Sequence, residues 1–172
     1  MKISKALSII KKSAAIMAFQ DLENGVQLLS NGVAAYDISS LPKVETTSEL
    51  AGMLGIDNED KHYLSIQPIP DTLSEIGLSE AMPVDILGIG LSFGDDDFTL
   101  VKANERYYAF NAKYFKPIEN EDLLYILPNG MLLVGGLTIT GYIMPCSITG
   151  DNIMGMIKDI ADKGLWRNRD ET

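Results

Sequence analysis

Short apolar runs separated by Asn-Gly turns occur near both ends of the chain, and they favour a fold rich in antiparallel strands. In the N-terminal part the turns are Asn24-Gly25 and Asn31-Gly32, and in the C-terminal part they are Asn129-Gly130 and Gly135-Gly136. Asn-Gly between apolar runs is the strongest short-range signal for a β-hairpin. The sequence therefore predicts two groups of short strands joined by tight turns.

The two groups of strands share the same order of parts. Each follows a Lys-bearing segment that we expect to be helical, residues 4–15 in the first case and about 111–116 in the second. The apolar positions align at an offset of 105 residues, with Val26, Leu28 and Leu29 on Met131, Leu133 and Val134. We interpret the chain as an α+β fold containing two copies of one unit, helix, strand, turn, strand, turn, strand.

The remaining segments lie outside this doubled unit. Residues 43 to about 83 have no counterpart, so they are predicted to be an insertion, with a capped helix at 49–54 and a strand at 62–67. The run at 84–93 predicts a strand covered on both faces, because it is almost continuously apolar. An amphipathic pattern predicts a C-terminal helix within residues 151–172, after a main domain of residues 1–150.

Composition limits the class of protein. A chain of 172 residues favours one domain with a real core, and its net charge of −10 excludes a protein that is basic throughout. The single cysteine, Cys146, excludes an internal disulfide framework and fits a reducing compartment. No apolar run reaches the roughly 18 residues of a membrane-spanning helix. We therefore expect a cytoplasmic protein with no membrane partner.

The charge is unevenly distributed along the chain. Residues 1–16 carry four lysines and no acid, and residues 102–116 carry four basic side chains against Glu105 alone. Residues 45–100 contain twelve acids against Lys61. The two predicted helices are therefore basic segments on an acidic body, an asymmetry that can direct a polyanion to one face.

No constellation of catalytic residues is apparent in the sequence. The single histidine, His62, follows an acidic loop, and Cys146 falls at the end of an apolar run where a buried thiol is inert. The cluster Asp95–Asp97 lacks the ligand spacing of a calcium loop, so a solvated hairpin is favoured over a metal site. We predict a protein that is not an enzyme and has no cofactor or metal; a hydrolase or nuclease using this cluster is the alternative.

Two short motifs resemble those of the bacterial DNA sliding clamp, the β subunit of the replicative polymerase. Phe110-Asn111-Ala112-Lys113-Tyr114-Phe115 is similar to the F-N-x-K-Y-L motif of clamp domains, and Tyr142-Ile143-Met144-Pro145-Cys146-Ser147-Ile148 is similar to their Y-x-x-M-P-x-x-L strand. The resemblance covers about residues 1–38 and 84–148. It implies two βαβββ units whose helices face DNA and whose sheets lie outside, although this chain corresponds to only one of the three clamp domains.

Together these features predict a non-catalytic, clamp-like binding protein with a role in sequence-independent DNA binding or as a replication accessory factor. Five lysines on the two predicted helices are the candidates for contacts to the backbone of duplex DNA: Lys2, Lys5, Lys12, Lys113 and Lys116. Closure into a ring would require a homo-oligomer. The alternative is an adaptor that binds a protein partner and no DNA.

Overall fold

Eleven strands and two α-helices make up most of the described chain. The computed structural model describes residues 1–21, 23–57, 61–70, 80–93, 95–136 and 138–146, together with Gly155 and Asp159. In chain order the elements are α1 (Ile3–Ile10), β1 (Ala15–Asp21), β2 (Val26–Ser30), β3 (Ala34–Asp37), α2 (Thr47–Leu54), β4 (Tyr63–Pro68), β5 (Met82–Pro83), β6 (Asp85–Phe93), β7 (Asp96–Ala103), β8 (Arg106–Asn111), a 3-10 helix (Ala112–Phe115), β9 (Leu123–Ile126), β10 (Leu132–Gly135) and β11 (Ile139–Ile143). The predicted α+β class is confirmed.

An open eight-stranded sheet forms the centre of the fold, with the order β4-β1-β2-β3-β11-β10-β9-β5. It contains two antiparallel meanders, β1-β2-β3 and β9-β10-β11. The meanders meet where β3 pairs antiparallel with β11, with Tyr36 opposite Gly141. One sheet therefore includes strands from both ends of the chain.

Side chains alternate between the two faces of this sheet, as the pleat of a strand requires. On β1, Ile16 and Ala18 join the larger core cluster, while Phe19 joins a second cluster on the opposite face. On β10, Leu132 belongs to the first cluster and Leu133 to the second. The sheet thus has apolar residues on both faces, which explains why its strands are apolar at nearly every position.

The two α-helices have different end signals. Helix α2 begins with a capping box, in which Thr46 Oγ1 accepts a hydrogen bond from the Glu49 N–H and the Glu49 carboxylate accepts one from the Thr46 N–H. It ends at Gly55, whose φ of 62° gives the left-handed C-cap. Helix α1 ends at Ile10, so the predicted extent of residues 4–15 is wrong. From Ala15 the chain pairs with both β2 and β4, and this two-sided pairing overrides helical periodicity.

The segment predicted as an insertion contributes directly to the main sheet. Strand β4 pairs parallel with β1, and Leu64 and Ile66 of β4 pack against the larger core cluster. Helix α2 buries Leu50 and Leu54 in the same cluster. Whether residues 43–83 interrupt a repeated unit stays a prediction, but α2 and β4 are part of this core.

A second, three-stranded sheet has the order β6-β7-β8. Its middle strand β7 sends Val101 into the larger core cluster and Leu100 into a small cluster on the other face. The prediction that residues 84–93 are covered on both faces is wrong, because Ile86 is 48% exposed. Strand β6 lies at the edge of a small sheet, where less surface is covered.

The described part of the chain includes no helix with the length and hydrophobicity of a membrane span. The predicted C-terminal helix lies outside the described residues, apart from Gly155 and Asp159, which are helical.

Candidate functional site

The two basic segments predicted from the sequence are in contact. Helix α1 packs beside the 3-10 helix, and the Lys2 N–H donates a hydrogen bond to the carbonyl oxygen of Pro117 at 2.6 Å. The Met1 amino group lies 2.8 Å from a carboxylate oxygen of Glu119 and 3.3 Å from one of Asp122. The start of α1 is therefore fixed to the residues that follow the 3-10 helix.

These contacts neutralise part of the positive charge at the start of α1. The hydrogen bond from the Met1 amine lowers the pKa of Glu119, and the same hydrogen bond raises the pKa of the amine. Lys2 is 52% exposed, and its ammonium lies 3.7 Å from Glu119. The charge of Lys2 is thus partly neutralised, because a carboxylate lies beside it.

The other four predicted lysines are exposed. Lys5 lies on α1, Lys12 follows it, Lys113 is in the 3-10 helix, and Lys116 caps that helix at its C-terminal end. The Lys113 ammonium lies 5.0 Å from the centre of the Tyr114 ring. Within the described residues none of these four has a carboxylate at salt-bridge distance. We call Lys5, Lys12, Lys113 and Lys116 the lysine surface.

Core packing sets the position of the 3-10 helix. Asn111 caps it by accepting a hydrogen bond from the Lys113 N–H at 3.2 Å, and its amide donates to Asp96 at 2.8 Å. Tyr114 is buried, and the ring of Phe115 packs edge-on against Phe110 with centroids 6.0 Å apart. Tyr114 is therefore a core residue, and Phe115 is partly buried against the same core.

A buried hydrogen bond connects this helix to the central sheet. The Tyr36 hydroxyl on β3 donates to the Tyr114 carbonyl at 2.7 Å, and burial raises the pKa of Tyr36. The Tyr114 hydroxyl in turn accepts a hydrogen bond from the Asn31 amide at 3.0 Å. The backbone that carries Lys113 and Lys116 is therefore held rigidly against the sheet.

The polar residues considered for catalysis are dispersed. His62 Nδ1 lies 2.8 Å from the Ser13 carbonyl, and Asp97 accepts a hydrogen bond from the Ser92 hydroxyl at 2.6 Å. Cys146 is half-buried, so the expectation of a fully buried thiol is wrong. Among the residues that the structure describes, no three His, Cys, Asp or Glu side chains come together as metal ligands.

Searches against protein-family models, curated proteins and solved structures find no match to this chain. Its function must therefore be inferred from its own geometry.

One feature that the sequence did not predict is a cavity of about 500 Å³ at the start of β8. Arg106, Tyr107 and Tyr108 line it on one side, and the turn at Asn129 and Gly130 lines it on another. The run of one arginine and two tyrosines was a visible signal, but only the fold brings the distant turn beside it.

Proposed function

We propose that this chain is a non-catalytic, clamp-like binding protein whose lysine surface contacts the backbone of duplex DNA without reading its sequence. The observation that carries the proposal is the contact between the two basic segments, made by the Lys2 N–H and the Pro117 carbonyl. Segments that are more than a hundred residues apart in the chain thereby contribute lysines to neighbouring elements. Exposed ammonium groups on rigid backbone are suited to phosphate contacts.

The arrangement of strands supports a doubled, clamp-like unit. In both meanders the central strand carries leucine or valine at equivalent positions facing the same sides, Leu28 with Leu133 on one side and Leu29 with Val134 on the other. Tyr36 pairs with Gly141, which is 105 residues further along the chain. If two antiparallel strands are related by a local twofold axis, the two residues that face each other at the axis occupy equivalent positions in the two repeats. One of the three observed pairs, Tyr36 with Gly141, therefore has the offset of 105 residues that the sequence predicts for the repeat.

Electrostatics restricts how such a protein binds. The net charge of −10 repels DNA from most of the surface, so binding depends on the few positions where cations are concentrated. With Lys2 paired to Glu119, four lysines remain in the proposed contact. Neutralising about four phosphates predicts a log–log slope of affinity against salt of about −3.6.

The test is a titration of labelled duplex DNA of several sequences by fluorescence anisotropy at a series of salt concentrations. We expect similar affinity for every sequence and the slope given above. The double variant Lys5→Glu with Lys113→Glu should lose binding. The matched control, Lys43→Glu with Lys61→Glu, changes the net charge equally at two exposed lysines elsewhere and should retain most of it. Absence of binding at low salt, or affinity that is independent of salt, contradicts the DNA role.

A second candidate function is a protein–protein adaptor that binds no DNA. It is favoured by Val33 and Met144, two apolar side chains that are 38% and 42% exposed and line a shared cavity of about 200 Å³. If this candidate is correct, the Lys5→Glu and Lys113→Glu variant keeps its function. Self-association into a ring and a cytoplasmic location stay predictions from the sequence, and sedimentation measurements address the first.

A further inference from the structure

The cavity at the start of β8 lies between the two sheets. The described residues that line it come from four separate parts of the chain: Glu105, Arg106, Tyr107 and Tyr108 at the start of β8, Pro128, Asn129 and Gly130 between β9 and β10, Pro145 after β11, and Gly155. Its volume of about 500 Å³ falls within the roughly 300–1,000 Å³ typical of small-molecule sites.

Strand geometry shows which side of β8 faces this cavity. Tyr107 packs in the small cluster of the second sheet and Tyr108 against the larger core cluster, so their side chains leave opposite faces of the strand. A cavity that touches both must lie along the edge of the strand. Consistently, the Cys146 N–H donates to the Ala109 carbonyl at 2.8 Å and covers that edge further along. Both tyrosines therefore line the cavity at the end of the edge that Cys146 leaves uncovered.

The turn that forms the opposite wall depends on a glycine. Gly130 has a φ of +86°, and a Cβ there would lie 3.2 Å from the Tyr108 ring and 3.3 Å from Pro145. The absence of a side chain lets the turn approach the aromatic ring closely. Beside it, Asn129 Oδ1 accepts a hydrogen bond from the Met131 N–H at 3.0 Å. This bond fixes the amide, whose NH₂ group remains a donor.

Charged side chains of both signs lie beside the aromatic rings at this cavity. Arg106 and Glu105 are both exposed, and the Lys102 ammonium lies 5.5 Å from the centre of the Tyr107 ring. Cations interleaved with aromatic rings are typical of proteins that stack nucleobases and contact the phosphates attached to them.

We propose that this cavity binds a nucleoside phosphate, with the base against the tyrosine rings and the phosphate at Arg106. The guanidinium offers paired N–H donors suited to phosphate oxygens, and the tyrosines offer planar apolar surface. The Glu105 carboxylate accepts from base amino groups or sugar hydroxyls, and the Asn129 amide donates to ring nitrogens or carbonyls. The ligand is either a free nucleotide or one unpaired nucleotide of a single strand, which share this chemistry.

This inference does not depend on the lysine surface. Arg106, the proposed phosphate contact, begins β8, and Asn111, which caps the 3-10 helix, ends it. About 17 Å of extended chain therefore separates Arg106 from the start of the helix that carries Lys113. The Lys5→Glu and Lys113→Glu variant should therefore leave nucleotide binding unchanged. Loss of duplex binding with retained nucleotide binding, or the reverse, distinguishes failure of one proposal from failure of the other.

The experiment is isothermal titration calorimetry of the full chain with adenosine 5′-monophosphate, and with a short single-stranded oligodeoxyadenylate. Adenosine lacks the phosphate and ribose 5-phosphate lacks the base, so both should bind more weakly than the nucleotide. Arg106→Gln should weaken binding about tenfold or more, as expected for loss of a hydrogen bond between charged groups. Tyr107→Leu should also weaken it, and Lys61→Gln is the matched control at a distant exposed cation.

The two probes separate the two sources of the ligand. Binding of the mononucleotide with sensitivity to Arg106→Gln supports a free nucleotide, whereas binding of the oligonucleotide alone, with the same sensitivity, supports a single strand. Unchanged thermal unfolding of Arg106→Gln confirms that the exposed substitution preserves the fold. The proposal is overturned if neither probe binds at about 1 mM. It is also overturned if ribose 5-phosphate binds as well as the nucleotide, or if both variants bind like the unaltered protein.

Discussion

The Tyr36 hydroxyl donates a buried hydrogen bond to the Tyr114 carbonyl at 2.7 Å, across 78 residues of sequence. It joins β3 of the first meander to the 3-10 helix that precedes the second. Tyr36 has no exposed surface, so water cannot replace this bond. The contact therefore holds together the two parts of the chain whose proximity the proposed function requires.

Tyr36→Phe should destabilise the protein because it leaves the Tyr114 carbonyl without this donor. The expected loss in the free energy of unfolding is about 1–3 kcal/mol, measured by urea denaturation. Tyr63→Phe is the matched control, since Tyr63 on β4 is 67% exposed, and we expect a change within about 0.5 kcal/mol. Equal stability of the two variants would show that the buried bond contributes nothing.

Gly141→Ala should also destabilise the protein, for a steric reason. A Cβ at this position would lie 3.3 Å from the Ala35 carbonyl oxygen and 3.3 Å from the Tyr36 ring, so these buried neighbours would have to shift by a few tenths of an ångström. Overpacking of this kind costs typically about 1–3 kcal/mol. The control is Gly52→Ala in α2, where nothing lies within 4 Å of the added methyl group. That substitution should stabilise the helix by roughly 0.5–1 kcal/mol. Thermal unfolding of both variants checks the opposite signs.

Gln27→Leu should disrupt a buried polar cluster that attaches residues 42–44 to the central sheet. Gln27 Oε1 accepts hydrogen bonds from the Gln20 amide at 2.9 Å and from the Val44 N–H at 3.1 Å. Leucine removes the acceptor and leaves a buried backbone donor unpaired, at a cost of about 1–3 kcal/mol. Chemical denaturation measures this cost. Gln67→Leu is the control, because Gln67 occupies an exposed position on β4. A similar loss of stability in this variant would contradict the role of the cluster.

Local signals predicted the elements that are defined by local chemistry. Thr46, Glu49 and Gly55 specify both ends of α2, and the structure shows the capping box and left-handed C-cap that they imply. The turns at Asn24-Gly25 and Asn31-Gly32 predicted short strands on either side of them, and the structure has β1, β2 and β3 there, because a short loop leaves little choice in how its strands pair. Side chains along each of these strands then alternate between the two faces of the sheet, because the strand is pleated.

Features that depend on distant pairing could not be predicted. The end of α1 was misplaced because the two-sided pairing of β1 with β2 and β4 is not encoded near Lys11. The parallel position of β4 beside β1 has no local signal, and the exposure of Ile86 depends on which strand lies at an edge. The sequence identified the lysines as candidates. The ion pair between Lys2 and Glu119 and the cavity at Arg106 depend on contacts between distant segments, so they became visible only in the fold.

Stability should depend on pH through the ion pair between the Met1 amine and Glu119, which lie 2.8 Å apart. The pKa of Glu119 is lowered, chiefly by the hydrogen bond from the amine, so its contribution is present above its ordinary pKa of about 4.3 and is lost as the pH falls through the lower folded value. The pKa of the amine is raised, so its contribution is present below about 8 and is lost as the pH rises through the higher folded value.

Glu119→Gln tests both sides of this dependence together, because it removes the charged partner without changing the size of the side chain. Relative to the unaltered protein, the variant should lose most stability between about pH 5 and pH 7.5, where both groups are charged, and the difference should shrink at pH 3 and pH 10. The measurement is the unfolding midpoint across this range at low and high salt, and the difference should diminish with salt since the pair is partly exposed. Glu121→Gln is the control, because Glu121 is exposed, lies nearby and forms no ion pair with the residues that the structure describes. A difference between Glu119→Gln and the unaltered protein that stays constant with pH would show that the effect of Glu119 is not electrostatic.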